Sequence, residues 1–365
     1  MRVVFDCRMS TWTGVGRYTV GLARALAARP DVDLVQVVAV GETPPVADGR
    51  AEVLVAHRHP FSLAAAGELA RLAREARPGV VHCAHFPTPI PAPHPLVVTL
   101  HDLSPLLVPG VMPSLAKRGV YRWWNGRASS VADRIVVPSL HTEADVVRCF
   151  PAAAGKTVVT LEAADDFADG AHEPLARTFA HRLAQGRYVL AMGSTRAHKD
   201  LPTLLAAFSA IAARHDELRL VLVGAEQPGY LERELPAAPP DVLARIEFSG
   251  PVTDGQLRTL YAGAALFAFP SRYEGFGLPP LEAMALGAPV VAADATSIPE
   301  VVDDAGLLVA PGDAAAFADA IERVLGDEEL RRGLVAAGLA RAASLTWANT
   351  AEATVAAYRA AGARA

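Results

Sequence analysis

Glu274 and Glu282 stand with seven residues between them in the run Pro270-Ser271-Arg272-Tyr273-Glu274-Gly275-Phe276-Gly277-Leu278-Pro279-Pro280-Leu281-Glu282. An apolar strand pattern over residues 265–269 precedes this run. Gly275 and Gly277 permit close backbone approach, Pro279 and Pro280 suit a first helical turn, and Gly287 supplies a C-terminal stop. The order is strand, loop, helix N-terminus, where a phosphate would meet free N–H groups and the positive end of a helix dipole. Glu274 in the loop and Glu282 in the helix's first turn put acceptors on both sides of that site. Such a pair suits a ligand rich in hydroxyl groups. Spacing alone leaves a second reading open, in which Glu282 complements the helix dipole and Glu274 is a solvated loop charge.

Three further positions share this strand-to-helix placement. Gly193-Ser194-Thr195-Arg196-Ala197-His198-Lys199-Asp200-Leu201 follows one strand, Asp6-Cys7-Arg8 leaves another and leads to Gly14-Val15-Gly16-Arg17-Tyr18, and His101-Asp102 follows a third. In an open parallel sheet, ligands sit beyond the carboxyl ends of the strands. A pair of glycines at a helix start is weak evidence, since turns use glycine for backbone reasons. Asp165-Asp166 and Asp303-Asp304 are adjacent pairs in loops and read as surface charge; no Asp-x-Asp pair is placed to hold a metal-bound diphosphate. Cys7, Cys83 and Cys149 are widely spaced singles with no metal-ligand pattern, and no chemistry is assigned to them.

The elements that must position these residues are read from periodicity. Residues 1–165 alternate short apolar runs (3–5, 34–40, 80–82, 96–100, 135–137) with amphipathic ones (18–28, 63–77, 142–150), a βαβ rhythm that implies a mainly parallel sheet. Residues 162–186 lack a strand period and are assigned to an interdomain linker. A second series follows, with strands near 188–192, 218–223, 245–248, 265–269 and 290–292. The closing segment, 345–365, is Ala-rich and helical. The Pro-rich patch at 87–95 reads as a loop, and no repeat of solenoid period occurs.

At 365 residues the chain exceeds one ordinary core, so two α/β domains with a cleft between them are expected. No apolar run reaches the roughly 20 residues that span a bilayer, and the start reads as a buried strand rather than a signal peptide, so a cytoplasmic location is expected. Residues 1–165 carry 17 Lys and Arg against 14 Asp and Glu, and residues 166–365 carry 17 against 25. Neither half has the basic balance that neutralises several phosphates at once, which argues against a nucleic-acid partner. The segment 117–127 mixes Lys117, Arg118, Arg122 and Arg127 with Trp123 and Trp124. It reads first as an amphipathic helix with tryptophan buried, and secondly as a surface for peripheral contact with the inner face of a membrane.

The Glu-x7-Glu run, in its setting Pro-Ser-x-x-Glu-Gly-Phe-Gly-Leu-Pro, resembles the signature of the retaining GT-B glycosyltransferases of family 4. Gly287-Ala288-Pro289-Val290-Val291, Ile298-Pro299-Glu300-Val301-Val302 and Ala305-Gly306-Leu307-Leu308-Val309 continue the likeness, which extends through nearly the whole chain. It implies two doubly wound Rossmann-like domains, an acceptor-side domain at 1–165 and a donor domain at 166–345, with a helix at 346–365 crossing back to the first. It further implies transfer of a hexose from a nucleoside-diphosphate sugar to a hydroxyl acceptor, possession of no cofactor, and independence of metal ions.

By the same resemblance Glu282 accepts from ribose hydroxyls, Glu274 accepts from a sugar hydroxyl and Lys199 neutralises the leaving diphosphate. Arg196, Gly275, Phe276, Gly277 and Leu278 join the donor site, the amides near Gly14 and Gly16 complete diphosphate binding there or line the acceptor pocket, and His101 reaches the donor sugar from the first domain. The sequence departs from the family at Ser194, where an Arg often stands, and Arg196 or His198 is the expected substitute. The Asp-x-Arg and Gly-Val-Gly-Arg-Tyr patterns look most like bacterial branches using GDP-mannose-like donors, with UDP and dTDP sugars open. The acceptor is a glycan, glycolipid or natural product, lipid-linked in one reading. Two alternatives are a sugar-nucleotide 2-epimerase of the same architecture and a non-catalytic sugar-nucleotide-binding subunit.

Overall fold

The computed structural model describes residues 1–363 and divides into two compact units, one of Met1–Ala163 with the C-terminal segment from Leu345, the other of Ala164–Ser344. Unit 1 contains β1 (Arg2–Asp6), β2 (Asp33–Ala39), β3 (Glu52–Ala56), β4 (Val80–Cys83), β5 (Leu96–Thr99), β6 (Arg134–Val137) and β7 (Thr157–Val159). They form one parallel sheet in the order β3-β2-β1-β4-β5-β6-β7. Unit 2 contains β8 (Tyr188–Met192), β9 (Arg219–Val223), β10 (Ile246–Phe248), β11 (Leu266–Phe269), β12 (Val290–Ala293) and β13 (Gly306–Val309), ordered β10-β9-β8-β11-β12-β13, also all parallel. Helices cover both faces of such sheets, which is why β4, β5, β11 and β12 are buried along their whole length and read as unbroken apolar runs.

Three strands were not expected, and all three are sheet edges. In β3, Val53 and Val55 are about two-fifths exposed; β7 has only three half-buried residues; β13 is half-buried through Leu308. Edge strands of this kind lack the buried run that marks a central one.

The first helix begins at Thr13, earlier than the amphipathic run from residue 18, and Gly14 and Gly16 lie in its opening turn, at the helix start expected for them. A Cβ on Gly16 would stand 2.5 Å from the Ser10 carbonyl oxygen, so glycine is what lets this helix start against the β1 loop. The stretch expected as a linker is partly ordered into helices at Asp165–Ala168 and Arg177–Leu183, both in unit 2. Asp165 and Asp166 therefore open a helix, where their charge suits its N-terminus, and are not a loop pair.

The Trp347–Ala360 helix packs within unit 1 against the Thr13–Ala27 helix, and the last two residues of the helical expectation lie outside the described residues. The contact is close enough that a Cβ on Gly21 would come within 2.1 Å of the Trp347 ring. Thr350 Oγ1 donates to the Leu161 carbonyl at 2.6 Å, fixing the helix on the chain just past β7.

Candidate functional site

In unit 2 the strand order reverses between β8 and β11, and in open parallel sheets ligands sit at the carboxyl ends of the strands at such a switch point. Lys199 ends the short turn Ala197–Lys199 after β8, and Glu274 lies in the loop after β11. Lys199 Nζ donates to Glu274 Oε1 at 2.6 Å, with the two side chains 24% and 14% exposed. The same ammonium lies 5.8 Å from the centre of the Phe269 ring, a cation–π contact that steadies it further.

A second link joins the same two loops. Arg272 Nε donates to Asp200 Oδ2 at 2.7 Å, Thr203 Oγ1 donates to that oxygen at 2.7 Å, and the Arg272 amide and Ser271 hydroxyl both donate to the His198 carbonyl, at 2.8 and 3.1 Å. Asp200 adopts a left-handed φ of 48°, a conformation Asp tolerates better than most residues.

The loop from Glu274 to Phe276 is held from a third side by residues that sequence reasoning missed. The Glu274 amide donates to Thr296 Oγ1 at 3.0 Å, and the buried Ser297 hydroxyl lies 3.0 Å from the Glu274 carbonyl oxygen and 2.6 Å from that of Phe276. Thr296 has φ 52°, unusual for a β-branched residue. The available signal was a hydroxyl pair directly before Ile298-Pro299, a place where such side chains bind backbone groups.

The helix that follows is Leu278–Ala285, with Gly277 at its N-cap in a conformation, φ 123°, that only glycine adopts readily. Two expectations are corrected here. Glu282 is the fifth residue of the helix and lies in its second turn; it is 2% exposed, and Tyr261 Oη donates to its Oε2 at 3.2 Å. The first turn also offers fewer donors than expected, because Pro279 and Pro280 carry no N–H. The helix dipole remains, but the N–H donors at this end lie mainly in the preceding loop. At the far end the Ala288 amide donates to Ala283 and the Gly287 amide to Met284, a Schellman arrangement with Gly287 at φ 77°. Phe276, Gly277 and Leu278 are buried, Gly275 is half-buried, and Arg196 is exposed.

Unit 1 holds His101, Gly14 and Gly16 at the carboxyl ends of β5 and β1. His101 Nε2 lies 2.9 Å from the Ala84 carbonyl oxygen, so Nε2 carries a proton, and Nδ1 lies 3.3 Å from Glu162 Oε1. The edge of Tyr18 meets its ring at 4.7 Å. Tyr18 Oη in turn bonds Thr99 Oγ1 at 2.8 Å, Thr99 bonds His82 Nε2 at 2.8 Å, and His82 Nδ1 bonds Tyr358 Oη at 2.7 Å. Burial pushes the His82 pKa down to about 3, so its ring is neutral, with one nitrogen donating and the other accepting. Neither the strand pattern over 80–82 nor the helical pattern over 345–365 signals this chain of hydrogen bonds. The Gly16 amide is consumed by the Trp12 carbonyl at 2.8 Å, whereas no side chain caps the first turn at Gly14.

In the Leu115–Val131 helix, Trp124 is buried and Trp123 is half exposed. Leu115 and Val120 are exposed beside Lys117, Arg118 and Arg122. Among the described residues, no helix is long and apolar enough to cross a membrane.

Comparison with known proteins bears on what these sites serve. The family model for glycosyl transferases group 1 matches residues 186–327, and that for glycosyltransferase family 4 matches residues 12–163. The chain is 30% identical to the O-antigen chain mannosyltransferase B of Escherichia coli, over 98% of this chain and 100% of that one. Among solved structures, sucrose-phosphate synthase from Thermosynechococcus elongatus superposes with a TM-score of 0.75 at 21% identity, covering 98% of both chains. Anabaena HepE, solved with UDP and glucose, gives 0.69 at 19% identity, again covering 98% of both. The fold is GT-B.

Proposed function

Because the chain belongs to the group 1, family 4 glycosyltransferases, we propose that it moves a hexose, mannose by preference, from a GDP-type nucleotide sugar to a hydroxyl of a glycan, glycolipid or natural-product acceptor with retention of anomeric configuration. The observation that carries the donor assignment is the Lys199–Glu274 contact at the switch point of unit 2, with Glu282 eight positions along the same segment. Lys199 is then already aimed when a diphosphate arrives, and Glu274 presents its second oxygen to a sugar hydroxyl. Glu282 takes the ribose hydroxyls, with Tyr261 orienting its carboxylate. Gly275, Gly277 and Leu278 bring backbone close to the diphosphate, and Arg196 adds an exposed cation.

In the reaction, the bond from the anomeric carbon to the diphosphate oxygen breaks and a bond to the acceptor oxygen forms on the same face. The acceptor's proton passes to the leaving phosphate. Negative charge grows on that leaving oxygen, so fixed cations and amides aimed there lower the barrier. The proposal gives this task to Lys199, the loop amides and Arg196, without a metal ion. For His101 the proposed role is contact with the sugar as charge develops; no nucleophile is assigned.

The reading is tested by incubating the protein with GDP-mannose, UDP-glucose or a dTDP sugar and a candidate acceptor. Released nucleoside diphosphate together with an extended acceptor supports it. An isomerised sugar nucleotide would instead establish a 2-epimerase, and binding without turnover a non-catalytic subunit. Peripheral membrane contact is a second element of the proposal, resting on Leu115, Val120 and Trp123 exposed among three cations. Co-sedimentation with anionic vesicles at low salt checks it, and a protein that stays in the supernatant removes it.

A further inference from the structure

Four loops at the carboxyl end of the unit 1 sheet each bring an aromatic ring to one continuous wall. Trp12 follows β1, Phe61 follows β3, His85 follows β4 and His101 follows β5. Neighbouring ring centroids are 5.4 Å apart from Trp12 to Phe61, 6.2 Å from Phe61 to His85 and 5.8 Å from His85 to His101. His59 adds its ring 5.9 Å from Phe61. The inner end of the wall is His101, and the outer end is Trp12, 43% exposed.

Trp12 is the exposed end of a ladder of rings that continues to His101. Burial holds His85 well below its ordinary pKa, so this ring in the middle of the wall is uncharged. At the same end of β1, two nitrogens of Arg8 are held by Asp6, while its Nη1 is buried with no partner. A buried donor in that condition is unfavourable until an oxygen reaches it.

We propose that this wall is the acceptor's saccharide subsite, where a neutral pyranose stacks on the exposed Trp12 ring and the acceptor chain runs along Phe61 toward His101. A pyranose ring has a face of C–H bonds, slightly positive, which matches the negative face of an indole. Its hydroxyls point outward from that stack, and the exposed side chains of Thr11, Thr13 and His59 supply polar partners around it. The acceptor is therefore a sugar-bearing molecule with at least one ring beyond the one that is glycosylated. This rests on the glycosyltransferase reading and specifies its acceptor side.

The test titrates methyl α-mannoside and a mannotriose into the full chain, wild type and with Trp12→Ala or Trp12→Phe, reading binding by saturation-transfer NMR and GDP binding by thermal shift. Trp12 is exposed, so neither substitution threatens the fold. Trp12→Ala is expected to weaken mannotriose about tenfold, ~1.4 kcal/mol, with Trp12→Phe retaining most of the affinity and the GDP shift unchanged in both. Equal mannotriose binding by wild type and Trp12→Ala overturns the subsite, as does a wild type with no saccharide response up to about 50 mM, since a dissociation constant weaker than this corresponds to less than ~2 kcal/mol of binding. A wild type that shows the Trp12-dependent saccharide response but binds no nucleoside diphosphate would leave the wall standing and defeat the transferase reading instead.

Discussion

At the carboxyl end of the unit 2 sheet the loops meet through charge, Lys199 on Glu274 and Arg272 on Asp200. In unit 1 the loops from Trp12 to His101 meet through rings, and a buried chain of neutral hydrogen bonds runs from the helix residue Tyr18 through Thr99 and His82 to Tyr358. The difference is one of exposure. Lys199 and Arg272 are partly open to water, and ion pairs in that position contribute only about 0–1 kcal/mol to stability. On the proposed function, the Lys199 pair serves to hold a cation ready for an incoming anion. Thr99 and His82 are fully buried, and Tyr18 and Tyr358 nearly so or fully, so each hydrogen bond there contributes about 0.5–1.5 kcal/mol and each orphaned partner costs more. Substitutions in the first region should therefore alter turnover with little loss of stability, and in the second the reverse.

The largest effect that sharpens this contrast is expected from Lys199→Met, which removes the cation proposed to meet the leaving diphosphate. Steady-state assays should show kcat/KM reduced about 100-fold, ~2.7 kcal/mol of lost transition-state stabilisation. The urea unfolding midpoint should barely move. A variant that unfolds markedly earlier would break the comparison, because the pair would then be structural.

Tyr358→Phe is the converse case. It keeps the ring that packs edge-on against His82 and deletes only the hydroxyl, leaving His82 Nδ1 buried without a partner. Equilibrium unfolding should show a loss of about 2 kcal/mol. Wild-type stability would mean that the chain of hydrogen bonds does not hold the C-terminal helix.

A smaller effect follows from pH. His82 has a folded pKa of about 3 against 6.5 when unfolded, so between these values the unfolded chain binds a proton that the folded chain refuses. Stability present above pH 6.5 is thus lost as pH falls toward 3. Lowering the pH from 7 to 5.5 should cost about 1 kcal/mol for this one residue. His82→Gln should flatten that part of the profile, and an unaltered slope would assign the acid sensitivity elsewhere.

The sequence revealed the pieces of the unit 2 site but not their meeting. Glu274, Glu282 and the helix boundary at Gly287 are legible because they lie in one run with its own turn chemistry. The Lys199–Glu274 contact spans 75 positions and depends on β8 lying beside β11, which no local pattern specifies. Glu282 was placed one turn early because the helix start is set by the φ of Gly277, and the anion donors were overcounted because Pro279 and Pro280 occupy the first turn. Thr296 and Ser297 were missed because their role is to bind another loop's backbone. The unit 1 network was still less visible, since His82 and Tyr358 are 276 positions apart and look like ordinary core residues. The edge strands were hidden by their own exposure.

The central claim, that the donor is held where Lys199 meets Glu274, is tested most directly by measuring nucleoside diphosphate release from the accepted donor by wild type and Glu274→Ala. Glu274 is bound through its carboxylate to Lys199 and through its backbone to Thr296 and Ser297, so alanine leaves the loop's backbone anchors in place. The account predicts release slowed about 100-fold with an unchanged unfolding midpoint. Release at the wild-type rate would contradict it.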